Sequence, residues 1–138
     1  MPVITVQSYG ITADAAPGLA RSVRAQVTAA LPGTDGVCQC RVVVCAAADV
    51  PDHVPAPNAW VEVTMFPGRS VEDKRALYAA IVAGLGPAGI VPGAVTVVLR
   101  EPALENWGIR GGRPASEVLR DAVHSPTDSS ADVEGDAR

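Results

Sequence analysis

Apolar and polar residues alternate over Val3–Gln7, the two-residue period of a half-buried strand. The period then lengthens. Leu19, Val23, Val27 and Leu31 recur every fourth residue and mark the inner face of a helix. Asp14-Ala-Ala-Pro17 opens that helix, with proline tolerated in the first turn, and Pro32-Gly33 closes it. Val37–Ala47, dense in Val and Cys, predicts a second strand. Asp49–Asn58 carries Pro51, Pro55 and Pro57 and predicts a linker. The same succession then returns. Trp60–Phe66 predicts a strand, Pro67-Gly68 a turn, and Ser70 an N-cap with Glu72 and Asp73 in the positive first turn. Leu77, Ile81 and Leu85 line the next helix, Gly86-Pro87 ends it, and Ala94–Leu99 predicts a fourth strand.

The chain thus reads as one β-α-β unit written twice, an α/β fold. Repeat one covers 2–48, the linker 49–58 and repeat two 59–118, all in one domain over 1–120. Each β-α-β pair should be parallel with a right-handed crossover. Two such units form a four-stranded sheet with both helices on one face. The opposite face reads as apolar too, with no helix left to cover it, so a homo-oligomer is expected.

Composition sharpens this. Hydrophobic residues make up 48% and aromatics 4%, so the core is aliphatic, as suits strands under helices. No apolar run is long enough to span a bilayer and no signal-peptide pattern opens the chain, which gives a cytoplasmic location by default and no membrane partner. The net charge of −4 is concentrated at one end: Asp121, Asp128, Asp132, Glu134 and Asp136 face only Arg138. Residues 121–138 therefore read as a disordered acidic tail. Acids and bases balance before it, with no basic stripe for nucleic acid. Cys38, Cys40 and Cys45 cannot all share one strand face, and only His53 and His124 could supplement them. Buried structural thiols are expected rather than a metal site.

The candidate chemistry begins at Met1-Pro2. Initiator methionine is usually trimmed before proline, which would leave Pro2 with a free secondary amine. A free α-amino group titrates at about 7.7–8.0. Burial or a nearby Arg lowers that value, giving a base poised near neutral pH.

A start at Pro2 and a duplicated β-α-β unit resemble the tautomerase superfamily, typified by 4-oxalocrotonate tautomerase. Phe66-Pro-Gly-Arg-Ser-Val-Glu-Asp-Lys74 is similar to that family's Gly-Arg-Ser-x-(acid)-x-Lys segment. Glu101-Pro-Ala-Leu-Glu-Asn-Trp-Gly-Ile-Arg-Gly-Gly112 is similar to its closing aromatic-Gly-Ile-x-Gly-Gly stretch. The resemblance covers roughly residues 2–118. The double length is similar to the fused members and to the malonate semialdehyde decarboxylase group.

The resemblance implies a tautomerase-like fold, a homotrimer and a cofactor-free enzyme acting on a small carboxylate or carbonyl substrate. Pro2 falls on the catalytic amino-terminal proline and Arg69 on the arginine that binds substrate carboxylate. Arg41 falls on a second family arginine and Trp107 on the pocket aromatic. Asp35 is similar to the acid that assists water or proton transfer in the decarboxylase group, and Arg110 stands where it could line the pocket mouth. Each has a plainer rival: an interface ion pair for Arg41, packing for Trp107, a solvated loop for Arg110, a turn for Asp35. The decarboxylase and dehalogenase groups carry two arginines one residue apart, and Pro67 replaces one here. That argues against dehalogenation and malonate semialdehyde decarboxylation.

The resulting expectation is an isomerase that moves a proton on an α-keto or enol acid, with no cofactor and no metal. Its alternatives are decarboxylation, hydration or enamine chemistry on the same scaffold, and a non-catalytic binding or scaffold protein.

Overall fold

The computed structural model describes residues 1–124. Residues 1–102 form one compact unit and the chain from Ala103 onward a second. In the first unit the elements run β1 (Val3–Tyr9), α1 (Ala16–Ala30), β2 (Gln39–Val44), β3 (Asn58–Thr64), α2 (Val71–Leu85) and β4 (Val95–Arg100). The strands make one sheet in the order β2-β1-β3-β4. β1 pairs in parallel with β2, and β3 with β4. β1 and β3 pair antiparallel at the centre, Val3 opposite Thr64 and Tyr9 opposite Asn58. Two parallel β-α-β units are therefore joined head to tail, as an α/β fold of the expected kind.

Alternation along the central strands turns Ile4 and Val6 of β1 and Val61 and Val63 of β3 inward, all fully buried. They pack with Leu19, Val23 and Val27 of α1 and Leu77, Ile81 and Leu85 of α2 in a single core. Ser8, also fully buried, satisfies its hydroxyl by donating to the Asn58 carbonyl at 2.7 Å. The Ser70 cap forms as expected: its Oγ accepts from the Asp73 amide at 3.1 Å.

Boundaries moved for local reasons. β2 is shorter than Val37–Ala47, because the Val37 and Cys38 amides close a turn onto the Thr34 carbonyl instead of joining the ladder. β3 starts at Asn58, two residues before Trp60, because the pairing with β1 runs on to Tyr9. Met65 lies beyond β3, yet its amide still donates to the Arg100 carbonyl at 3.1 Å.

The sheet face away from the helices differs from expectation. It presents Val3, Thr5 and Gln7 from β1, Gln39, Arg41 and Val43 from β2, Trp60, Glu62 and Thr64 from β3, and Thr96, Val98 and Arg100 from β4. This is a mixed surface and not an apolar one. Val43 and Trp60 stand out on it, 50% and 46% exposed, while Arg100 pairs with Glu62 at 3.2 Å.

In the second unit, β5 (Gly108–Ile109) and β6 (Arg113–Pro114) form a short antiparallel hairpin. α3 (Ala115–His124) follows. The Ala115 amide donates to the Trp107 carbonyl at 2.9 Å, and Arg113 pairs with Asp121 at 2.8 Å. Residues 121–124, assigned from composition to the acidic tail, are the last turn of α3. The remainder of that tail lies outside the described residues.

Candidate functional site

The central antiparallel pairing decides what meets Pro2. Val3 lies opposite Thr64, so Pro2, one residue earlier, falls beside the segment leaving β3. Pro2 is buried, and its carbonyl accepts from the Gln39 amide at 3.0 Å. The start of repeat one is thereby held between β2 and the exit of β3. That exit turns sharply at Gly68, whose φ of +114° is a conformation open to glycine. The turn delivers Arg69 to the same place.

The result is a cleft of about 380 Å³ lined by Met1, Pro2, Leu31, Thr34, Met65, Phe66, Pro67, Gly68, Arg69 and Asp73. Arg69 is held from two sides. Its Nη2 donates to the Pro32 carbonyl at 3.2 Å, and its Nη1 lies 3.9 Å from Asp73 Oδ2, one helical turn along. The arginine from repeat two is thus anchored on the loop that ends the helix of repeat one. Thr34, nearly fully buried in that loop, donates its hydroxyl to the Leu31 carbonyl at 2.8 Å.

The electrostatics work against the charged form of the amine. With Met1 in place the amino group at the cleft is held below its ordinary value, first by burial and then by the Arg69 charge, with Cys38 acting the other way. Cys38 itself is pushed up by burial. Its thiol is therefore neutral at neutral pH and offers the amine no anion to pair with.

The other sequence candidates sit elsewhere. Asp35 is exposed and lines a separate depression with Arg21, Arg24, Thr28 and Cys38; its neighbour Thr34 is the residue that faces the Pro2 cleft. Arg41 pairs across from Thr5 on the outer face of edge strand β2, exposed, with Nη2 donating to Gln39 Oε1 at 3.1 Å. One chain does not bring it to Pro2. Trp107 and Arg110 belong to the second unit. Trp107 is half-buried there, and Arg110 is exposed at the hairpin tip with φ +47°. Asp73 and Thr34 are cleft residues that the sequence pattern did not mark as such. The spacing of Asp73 four residues after Arg69 on a helix start was the available signal.

The family model described as tautomerase enzyme matches residues 58–110. These are repeat two, the hairpin start and the Arg69 segment. Among solved structures, the Q0 fused 4-OT, a symmetric trimer, superposes with a TM-score of 0.74 at 28% identity, over 84% of this chain and 98% of that one. The chain thus has the fold of the fused tautomerase structures, and its second repeat matches the tautomerase family model. The fold also matches Pt0534, solved after inactivation by 2-oxo-3-pentynoate, with a TM-score of 0.75 at 21% identity over 84% of this chain and 98% of that one. Malonate semialdehyde decarboxylase, described for decarboxylase and hydratase activities, follows with 0.65 at 22% identity over 86% and 98%. No curated protein matches the sequence. The two repeats contribute differently: the cleft draws Pro2 from one and Arg69 from the other.

Proposed function

We propose that this protein is a cofactor-free tautomerase acting on a small α-keto or enol acid. The observation that carries the reading is the shared cleft of Pro2 and Arg69, in a setting where burial and the Arg69 charge lower the amino group's affinity for a proton. Trimming of Met1 would leave the Pro2 nitrogen as a free secondary amine beside that cleft. As a base, the neutral amine accepts the proton from one end of the conjugated system. The electron pair shifts along it, and the prolinium returns the proton at the other end. Arg69 grips the substrate carboxylate and offsets the negative charge that develops during the transfer.

Arg41 enters this reading across a subunit boundary. It stands on the outer sheet face, where a neighbouring copy in a trimer would lie, and it would serve that neighbour's cleft. Trp107 as a wall of the site and Arg110 at its mouth belong to the same proposal.

The direct test is at Pro2. Intact-mass measurement of the purified chain is expected to show loss of Met1; a fully retained methionine would sink the general-base mechanism. Pro2→Ala should slow ketonisation of phenylenolpyruvate at least about tenfold, about 1.4 kcal/mol of transition-state stabilisation. An unchanged rate would assign the turnover to some other group. Titration of the Pro2 amine separates the alternatives. A value below the free-amine reference supports the base, and a raised value supports the acid role that decarboxylation or hydration would require.

A further inference from the structure

The cleft contains a carboxylate that the proton transfer does not use. Asp73 lines it together with Pro2 and Arg69. Its Oδ2 lies 3.9 Å from Arg69 Nη1, while Arg69 Nη2 is engaged by the Pro32 carbonyl. One end of the guanidinium is therefore fixed by backbone, and the other is shared with the Asp73 carboxylate. An incoming carboxylate meets both charges at once. The charged side chains lining the cleft are Arg69 and Asp73.

We propose that Asp73 sets the charge preference of the site, admitting substrates with one carboxylate at Arg69 and disfavouring dicarboxylates. The inference rests on the reading above, in which Arg69 is the carboxylate anchor. The physical cause is simple. The first carboxylate takes the guanidinium, and a second carboxylate within the cleft then meets Asp73, the other charged side chain that this chain places in the lining. Asp73 is 42% exposed at its side chain, so solvent weakens the repulsion to a several-fold effect. Asp73 is a specificity-determining residue here, with no proton to move.

Crotonate and fumarate form a matched pair of four-carbon acids that differ by one carboxylate. Their dissociation constants can be measured by NMR titration of the Arg69 Nε–H signal in the full chain. Asp73→Asn should lower the fumarate-to-crotonate ratio of dissociation constants by about fivefold, and Asp73→Glu should keep the wild-type ratio. Arg69→Ala, followed by backbone signals of Gly68 and Thr34, should weaken both acids. A ratio unchanged in Asp73→Asn overturns the inference, as does failure of the wild type to bind either acid. Turnover of phenylenolpyruvate on the same proteins keeps the two readings apart. A shifted ratio without turnover leaves the charge preference standing and removes the proton transfer. Turnover with an unshifted ratio does the reverse.

Discussion

At the scale of single residues, Pro2 and Arg69 were legible because each is marked chemically, one by its place in the chain and one by its motif. What the sequence could not show is direction. Thr34 and Asp35 are adjacent, and the turn that buries the first in the Pro2 cleft points the second into a different depression. Asp73 read only as a helix-start acid, because periodicity reports a helix face and not what a loop four residues earlier brings beside it. Arg69 carries the sharper consequence. Arg69→Ala should raise KM for an acidic substrate and affect the matching neutral ester much less. Equal losses on the two would make Arg69 a structural residue or a stabiliser of the developing oxyanion. Cys40 offers a prediction about stability. Burial, reinforced by Cys38, pushes its thiol up to about 11 from an ordinary 9.0. The folded chain thus keeps a proton that the unfolded chain releases between those values. The stabilising contribution is complete below pH 9 and is lost as pH rises through about 11. Urea melts at pH 8 and above pH 10 should show a larger loss in the wild type than in Cys40→Ala; equal losses would mean the thiol titrates normally in the fold.

At the scale of elements, the strands and both long helices followed from the changing period. Pairing moved their ends by one or two residues at several boundaries and cut β2 to Gln39–Val44. The short pieces did not follow. β5 and β6 are two residues each, too short for alternation to register. α3 was not read as a helix at all, and acidic composition assigned its last turn to the tail. The two helices make their own prediction where they cross. A Cβ on Gly84 would stand 2.6 Å from Val23 Cα, so α1 and α2 approach at the backbone. In an isolated helix alanine would be the better residue, but here it forces the helices apart. Gly84→Ala should cost about 1–3 kcal/mol, measured by urea denaturation, and stabilisation instead would mean the crossing has slack.

At the scale of the whole molecule, duplication followed by antiparallel docking of the repeats makes the cleft composite. The start of β1 can meet the exit of β3 because the two strands pair antiparallel. The uncovered sheet face was expected from counting helices against strand faces. Its chemistry was misjudged, because apolar residues in β2 and β4 were weighted over the threonines, Gln7, Gln39, Glu62 and the arginines that share it. That mixture changes what assembly should look like. Its most exposed apolar residues, Val43 and Trp60, lie at one end of the face, on either side of Gln7, and an interface there would set them within a polar surround that forms hydrogen bonds and ion pairs. The trimer remains the proposed state, with Arg41 on the face a neighbour would cover. Light scattering at micromolar concentration should give about three times the 14.1 kDa chain mass. Trp60→Glu, which replaces an exposed apolar residue of this face with a charge, should shift that mass toward the monomer and reduce turnover with it, while leaving the core under α1 and α2 folded. A wild-type monomer that retained full turnover would show that one chain completes its own site, and Arg41 would then have no part in it.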